Sequence, residues 1–357
     1  MKVVIDARES GTSTGRYIDK LVENLARLDW PYEHVILTKP ERLQYMQNAA
    51  PNFTVLGSPY KEFTFAEQLG FKKQLDGIKG DLVHFGMTQQ PVRYRGKKVT
   101  TIHDLTTLRF NNPDKNWLAY KLKQQVYKFV IKSVTRRSTT VIVPSHFVKD
   151  DLVKFTGVNP AKIQVIYEAA DQITEEATAL PELEGKKFIM YVGRPTPHKN
   201  LERLLEAFQK LNQPDLYLVL AGKKDANYQR IEKQNIPNVI FTDFVEDPQL
   251  RWLYEHCAAY IFPSLSEGFG LPGLEAMAHG APVVSSNATC LPEIYGDAAH
   301  YFDPLDVDAM AQAINDVLTD QKLRADLIQK GAEQTKEYSW RQTAEETLAV
   351  YKRVLGE

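Results

Sequence analysis

The sequence predicts an α/β protein built from two Rossmann-like, doubly wound parallel-sheet domains. Three observations carry that prediction. The chain has 357 residues, more than one hydrophobic core ordinarily serves. Short, near-continuous apolar runs alternate with helical stretches from end to end, as parallel strands covered on both faces do. The series breaks once, at the acidic, strandless stretch DQITEEATALPELEGKK (171–187), which reads as a linker.

In the first domain, 1–170, strands are expected at VVIDA (3–7), HVILT (34–38), TVLG (54–57), LVHF (82–85), VTTIHD (99–104), TVIVPS (140–145) and IQVIY (163–167). In the second, 188–338, they are expected at FIMYVG (188–193), LYLVLAG (216–222), VIFTDF (239–244), AAYIFPS (258–264), PVVSS (282–286) and HYFD (300–303). From about Asp306 the chain reads as helix. Its last stretch, 339–357, carries Trp340, Ala344, Leu348, Tyr351 and Leu355 near helical spacing.

Composition excludes several classes. Two cysteines, Cys257 and Cys290, are too few for a disulfide framework or a structural zinc site and fit a reducing cytoplasm. The start, MKVVIDARES, lacks the apolar core of a signal peptide, and no apolar run approaches a membrane span. Charge is uneven. Residues 1–170 hold 26 Lys and Arg against 16 Asp and Glu, and the remainder hold 18 against 29. The first half is therefore expected to meet something anionic. Within it, KNWLAYKLKQQVYKFVIKSVTRR (115–137) has seven basic residues and no acid. As a helix it would gather Lys121, Lys128, Lys132 and Arg136 on one arc, with Leu118, Leu122, Val126 and Phe129 on a neighbouring packed face. The alternative to a plain surface helix is docking onto anionic lipid.

Chemistry is concentrated at strand ends, where doubly wound sheets bind ligands. In SLSEGFGLPGLEAMAHGAP (264–282), Pro272 suits a first helical turn and Gly280 a helix end, so a helix is expected from Leu271 to about His279. Glu267 then precedes it and Glu275 lies one turn in. The helix N-terminus suits a phosphate, glycines 268, 270 and 273 allow close backbone approach, and each carboxylate can accept from a vicinal diol. Together these describe a nucleotide sugar. In YVGRPTPHKN (191–200), Arg194 and Lys199 straddle a strand-to-helix turn and form a diphosphate site. Beside it, reading the glutamates as a glycosidase acid and nucleophile makes no sense. Asp306-Val307-Asp308 is expected to cap a helix and not to hold a metal.

The E-x7-E run with its GFGLPGLEAMAHGAPVV continuation closely resembles the signature of retaining glycosyltransferases of family four, whose architecture is GT-B. The resemblance covers nearly the whole chain. It implies two Rossmann-like domains facing a central cleft, with the acceptor bound by the first and the nucleotide sugar by the second, and a last helix that crosses back to the first domain. It also implies that Glu267 and the backbone of Gly268, Phe269, Gly270 and Leu271 contact the donor sugar, that Glu275 holds the ribose, and that Gly193, Arg194 and Lys199 match the G-R-x4-K element that stabilises the leaving pyrophosphate. The base would be read by backbone near Phe244 and Val245, with Trp252 and Tyr254 in the core. In DARESGTSTGRY (6–17), Gly15 is the carried-over residue facing donor phosphates and acceptor. In TIHDLTTLRF (101–110), His103 would face the donor sugar, with Asp104 orienting its ring or capping the next segment. The sequence departs from the family at Tyr167-Glu168-Ala169, where members often read Pro-Asn-Gly.

The implied reaction moves a hexose from a nucleoside diphosphate sugar to a glycan or lipid-linked acceptor, with retention and with neither cofactor nor catalytic metal. The style of the first domain resembles surface-polysaccharide mannosyltransferases, which points to GDP-mannose. A UDP-sugar such as UDP-glucose or UDP-N-acetylglucosamine is the alternative, followed by a sugar-nucleotide epimerase and a non-catalytic nucleotide-sugar binding protein. A cytoplasmic protein, peripheral on the inner membrane face, is the expected location, with no nucleic acid as partner.

Overall fold

A computed structural model describes residues 1–12, 14–110 and 117–357, and of residues 117–120 and 122 the backbone alone. The first run of elements is β1 (Lys2–Asp6), α1 (Arg16–Leu25), β2 (Glu33–Thr38), α2 (Leu43–Ala49), β3 (Thr54–Gly57), α3 (Lys72–Ile78), β4 (Leu82–Phe85), β5 (Lys98–Thr101), α4 (Thr106–Arg109), α5 (Trp117–Arg137), β6 (Thr140–Val143), α6 (His146–Thr156) and β7 (Ile163–Val165). The second is β8 (Lys187–Val192), α7 (Leu201–Leu211), β9 (Leu216–Ala221), α8 (Ala226–Glu232), β10 (Val239–Asp243), α9 (Asp247–His256), β11 (Ala259–Phe262), α10 (Leu271–Ala278), β12 (Val283–Ser286), α11 (Leu291–Tyr295), β13 (Ala299–Phe302), α12 (Val307–Thr319) and α13 (Gln321–Gln334). The chain closes with α14 (Trp340–Leu355). Every strand expected from an apolar run is present.

Two parallel sheets result, ordered β3-β2-β1-β4-β5-β6-β7 and β10-β9-β8-β11-β12-β13. Strand order reverses direction at β1/β4 in the first and at β8/β11 in the second, the switch points where doubly wound sheets open a crevice. The runs are apolar throughout because both faces are covered. In β1, Val3, Val4 and Ile5 are all fully buried. One core face joins Val4, Val35, Leu37, Phe71, Leu75, Val83 and Phe85. Helix ends follow local chemistry. The Ser145 side chain accepts from the Val148 N–H to start α6, and Gly157, at φ 67°, ends it in the left-handed region.

The chain divides into two compact units. Met1–Leu108, the chain from α5 to Glu168, and Ser339–Glu357 form the first, while Ala169–Tyr338 forms the second, with Arg109 and Phe110. Helix α14 is thus part of the first unit. Thr343 Oγ1 donates to Tyr167 O at 2.8 Å, and the Tyr351 hydroxyl meets His84 Nδ1.

The structure adds detail to two expectations. Segment 171–187, read as the linker, lies on the second unit as a strap. Its Ile173 N–H donates to His279 Nε2 at 3.0 Å, Thr178 N–H to Pro248 O at 3.0 Å, Arg251 reaches Glu175 O at 2.9 Å, and Leu180 and Leu183 are buried. The packed face of α5 is different. Ile131 and Val134 are buried, with Ile131 in a cluster with Ile102, Val141 and Leu152. Val126 and Phe129 are instead 55% and 64% exposed. The buried face is thus set by Ile131 and Val134 and not by the Val126–Phe129 side expected from the spacing. The side chains of Leu118 and Leu122 lie outside the described residues.

Candidate functional site

In the second unit the β8–α7 turn and the loop after β11 are laced together. Leu265 N–H donates to His198 O at 2.7 Å. Asn200 is buried in the left-handed region, at φ 60°, and its amide donates to Pro263 O at 3.1 Å and Pro304 O at 2.8 Å. This lacing brings Lys199 Nζ to 2.6 Å from Glu267 Oε1, across 68 positions of sequence. Glu267 is fixed further, its N–H donating to Thr289 Oγ1 at 3.1 Å. Arg194 lies exposed on the same turn as Lys199. One ammonium, one guanidinium and one carboxylate therefore share the switch point of this sheet, an arrangement that can hold an anionic ligand bearing hydroxyls.

The glycines here serve close packing. A Cβ on Gly222 would lie 2.4 Å from Gly193 O, and one on Gly273 would lie 2.3 Å from the Tyr295 hydroxyl. Three buried phenols then pin the backbone. Tyr228 donates to Gly193 O at 2.7 Å, Tyr191 to Arg194 O at 3.3 Å, and Tyr295 to Gly270 O at 2.6 Å. Burial pushes all three phenols upward from their ordinary pKa, so they remain donors. Nothing in their spacing announced this role in the sequence.

Helix α10 begins at Leu271 after Gly270, which sits at φ 103°. Glu275 is buried within it, its Oε2 accepting from Tyr254 at 3.4 Å. Its carbonyl accepts from His279 Nδ1 at 2.8 Å, which fixes that ring's tautomer because Nε2 accepts from Ile173. Gly268 is buried, and the Phe269 ring packs edge-on against Tyr338 at 5.5 Å. At the end of β10, Phe244 is 71% exposed and Val245 buried. The Phe244 N–H donates to Asp243 Oδ1 at 2.8 Å. Trp252 and Tyr254 are buried. Asp306 accepts from the N–H groups of Asp308 and Ala309 as the cap of α12, and Asp308 pairs with Lys210.

In the first unit a small pocket at the β1/β4 switch point is lined by Asp6, Arg8, Glu9, Thr14, Ile18, Gly86 and Met87. Arg8 is buried and grips Asp6 through Nε at 2.9 Å and NH2 at 2.8 Å, with Glu67 at 3.0 Å and the Phe71 ring beneath it at 3.7 Å. Gly15 caps α1 with its N–H on Thr12 O at 3.1 Å. A Cβ there would sit 1.7 Å from Glu9 O, so the glycine serves the turn itself. His103 follows β5 and contacts no free partner. Its Nδ1 is 2.9 Å from Glu168 Oε1 and its Nε2 3.1 Å from Gly86 O. Asp104 turns away and accepts from the Thr106 N–H at 2.8 Å, capping α4. The ring's orienting group is thus Glu168, in the stretch where the sequence departs from its expected pattern. Arg8 and Glu67 were not singled out in the sequence, and Glu168 was marked only as part of a departure from the family pattern. Lone charges in unremarkable runs carry no spacing signal.

Two doubly wound domains of this kind make up the GT-B fold, which similar solved glycosyltransferase structures share. The chain belongs to glycosyltransferase family 4. Residues 14–172 match the model described as Glycosyltransferase Family 4, and residues 172–334 that of Glycosyl transferases group 1. The chain is 32% identical, over 72% of its length and 70% of the relative's, to O-antigen chain mannosyltransferase B of Escherichia coli. Four further relatives named as mannosyltransferases are 28–31% identical, and the chain spans only 28–60% of their length. Among solved structures, sucrose-phosphate synthase from Thermosynechococcus elongatus aligns with a TM-score of 0.78 at 18% identity, covering 99% of both chains. Anabaena Alr3699/HepE in complex with UDP-glucose aligns at 0.76 and 15% identity, covering 99% of this chain and 100% of that one. Among the described residues no helix is long and apolar enough to cross a membrane.

Proposed function

We propose that this glycosyltransferase moves mannose from GDP-mannose to a hydroxyl of a glycan or lipid-linked acceptor, with retention of anomeric configuration. The observation that carries the reading is the Lys199–Glu267 pair at 2.6 Å, with Arg194 on the same turn, and the mannosyltransferase names of the relatives support mannose as the sugar. In this reading Lys199 and Arg194 meet the diphosphate, Glu267 and the 268–271 backbone the sugar, Glu275 the ribose, and the chain near Phe244 and Val245 the base. The anomeric C–O bond to the diphosphate breaks and a bond to the acceptor oxygen forms on the same face. The hydroxyl proton passes to the leaving phosphate oxygen. Lys199, held by Glu267, and Arg194 supply the electrostatic stabilisation that often dominates such catalysis, so the reading needs no cofactor and no metal. A UDP-sugar is the second reading, supported by the UDP-glucose in one structural neighbour's description.

A thermal-shift panel of GDP-mannose, UDP-glucose and UDP-N-acetylglucosamine tests the donor, since ligand stabilises by mass action. GDP-mannose should give the largest rise, and no rise with any of them would overturn the reading. A shift without transfer would leave a binding protein, and an altered donor sugar an epimerase. Lys199→Ala should lower kcat by about 10²–10³-fold. The exposed Val126 and Phe129 on α5, among Lys121, Lys123, Lys132 and Arg136, themselves exposed, support peripheral contact of 115–137 with anionic lipid on the cytoplasmic face. Co-sedimentation with phosphatidylglycerol but not phosphatidylcholine vesicles is the expected result.

A further inference from the structure

His103 faces an acceptor at each ring nitrogen. Glu168 Oε1 lies 2.9 Å from Nδ1 and the Gly86 carbonyl 3.1 Å from Nε2. A neutral imidazole carries one N–H and would turn a lone pair toward one of these oxygens, whereas the imidazolium donates to both. The Glu168 side chain is almost wholly buried, while a quarter of the His103 side chain remains exposed. Burial opposes the charged ring, and Glu168, the Gly86 carbonyl and Asp104 favour it. His84 of β4 is buried and neutral, its pKa lowered to about 3 by burial and by His103 itself. Its nitrogens are taken by Tyr351 and by Thr101 at 2.9 Å. Tyr17 of α1 presents its ring edge-to-face at 4.8 Å and its hydroxyl to Thr101 at 3.1 Å. Asp104 adds negative charge from the His103 side. The Gly86 carbonyl that receives Nε2 belongs to the rim of the β1/β4 pocket.

We propose that Glu168 is the positioning residue of the first domain's site: it holds His103 as a doubly hydrogen-bonded imidazolium that anchors the Gly86 carbonyl at the pocket rim. His103 then works as a fixed cation and hydrogen-bond donor and not as a proton shuttle, because both N–H groups are spent. The functional consequence rests on the reading of this chain as an active transferase, but the charge state does not.

The deciding experiment is nitrogen-15 imidazole NMR on the full chain, with His103→Asn used to assign the signal. Both ring nitrogens of His103 should be protonated at pH 7, and a single neutral tautomer there would overturn the proposal. In Glu168→Gln, which keeps an acceptor but removes the charge, the midpoint should fall; an unmoved midpoint would equally overturn the proposal. With whichever donor turns over, Glu168→Gln should lose about tenfold in kcat/KM at pH 8 and recover toward pH 6. A loss equal at every pH would mark a merely structural role and refute the positioning claim. If no donor turns over, the proposed function fails while the NMR result still stands.

Discussion

The two domains share a topology but hold their switch points by different means. The first relies on buried polar side chains, two of them charge pairs: Arg8 between Asp6 and Glu67, His103 against Glu168, and the neutral His84 between Tyr351 and Thr101. Lys98, buried with its amine on Tyr94 O at 3.3 Å, has its pKa pushed down to about 8 by burial and by Arg137 and Lys162. The second relies on glycines that admit close packing and on neutral phenols that pin backbone carbonyls. Charge pairs fix side chains in a pocket. Phenol-to-carbonyl bonds fix a backbone that is itself the binding surface. The difference teaches where each domain is vulnerable: the first to changes in charge and pH, the second to changes in a few atoms of shape.

The largest effect should come from Arg8→Met. It strands two buried carboxylates, and breaking such a buried arrangement typically costs about 3–5 kcal/mol. Hydrogen exchange should show lost protection in β1, β4 and their neighbours with β8–β12 unchanged. Equal loss in both sheets would erase the comparison. Acid comes next. His84 has its pKa lowered to about 3, and His34 to about 4, chiefly by burial. An unfolded histidine takes its proton near 6.5, so the unfolded chain binds more protons below that pH and stability falls as pH falls. By pH 5 the His84 contribution alone should be about 2 kcal/mol. His103 has the opposite sign: the Glu168 and Gly86 acceptors raise its pKa against the opposing effect of burial, which is the larger single influence. Its contribution is complete below 6.5 and fades as pH rises through the folded value. The first domain should therefore lose exchange protection before the second on titration from pH 7 to 5.

The strands were legible because a parallel strand covered on both faces is apolar at every position, as FIMYV of β8 shows. The α10 turn was legible because Gly270, Pro272 and Gly280 each answer a backbone demand. Partners distant in sequence were not. Lys199 and Glu267 could be placed at two strand ends, but their direct pairing depends on Asn200 and Leu265 lacing the loops. Glu168 was visible only as a departure from an expected pattern, and its partner His103 lies 65 positions away. The packing of 171–187 on the second unit was hard to read because, besides the buried Leu180 and Leu183, its anchors are backbone N–H and C=O groups, which leave no trace in residue type.

The smallest predicted effect is the sharpest test of how the second domain works. Tyr295→Phe removes one hydroxyl and opens no cavity. Gly270 O loses the 2.6 Å bond but still accepts from the Gly273 N–H at 3.2 Å, so no carbonyl is orphaned and the cost should be about 1 kcal/mol. For a domain of this size that is a fall in Tm of roughly 2–4 °C. The functional loss should exceed what so small a cost suggests. Tyr295 is held against both Gly270 and Gly273, so removing its bond frees the backbone that precedes α10. Donor affinity, read by the thermal shift with saturating nucleotide sugar, should fall severalfold while β1–β7 protection stays unchanged. If affinity survives while Tm falls, the phenols merely stabilise the fold, and glycine packing alone shapes the loop. If affinity falls as predicted, the second domain's binding surface depends on a hydroxyl that never touches the ligand.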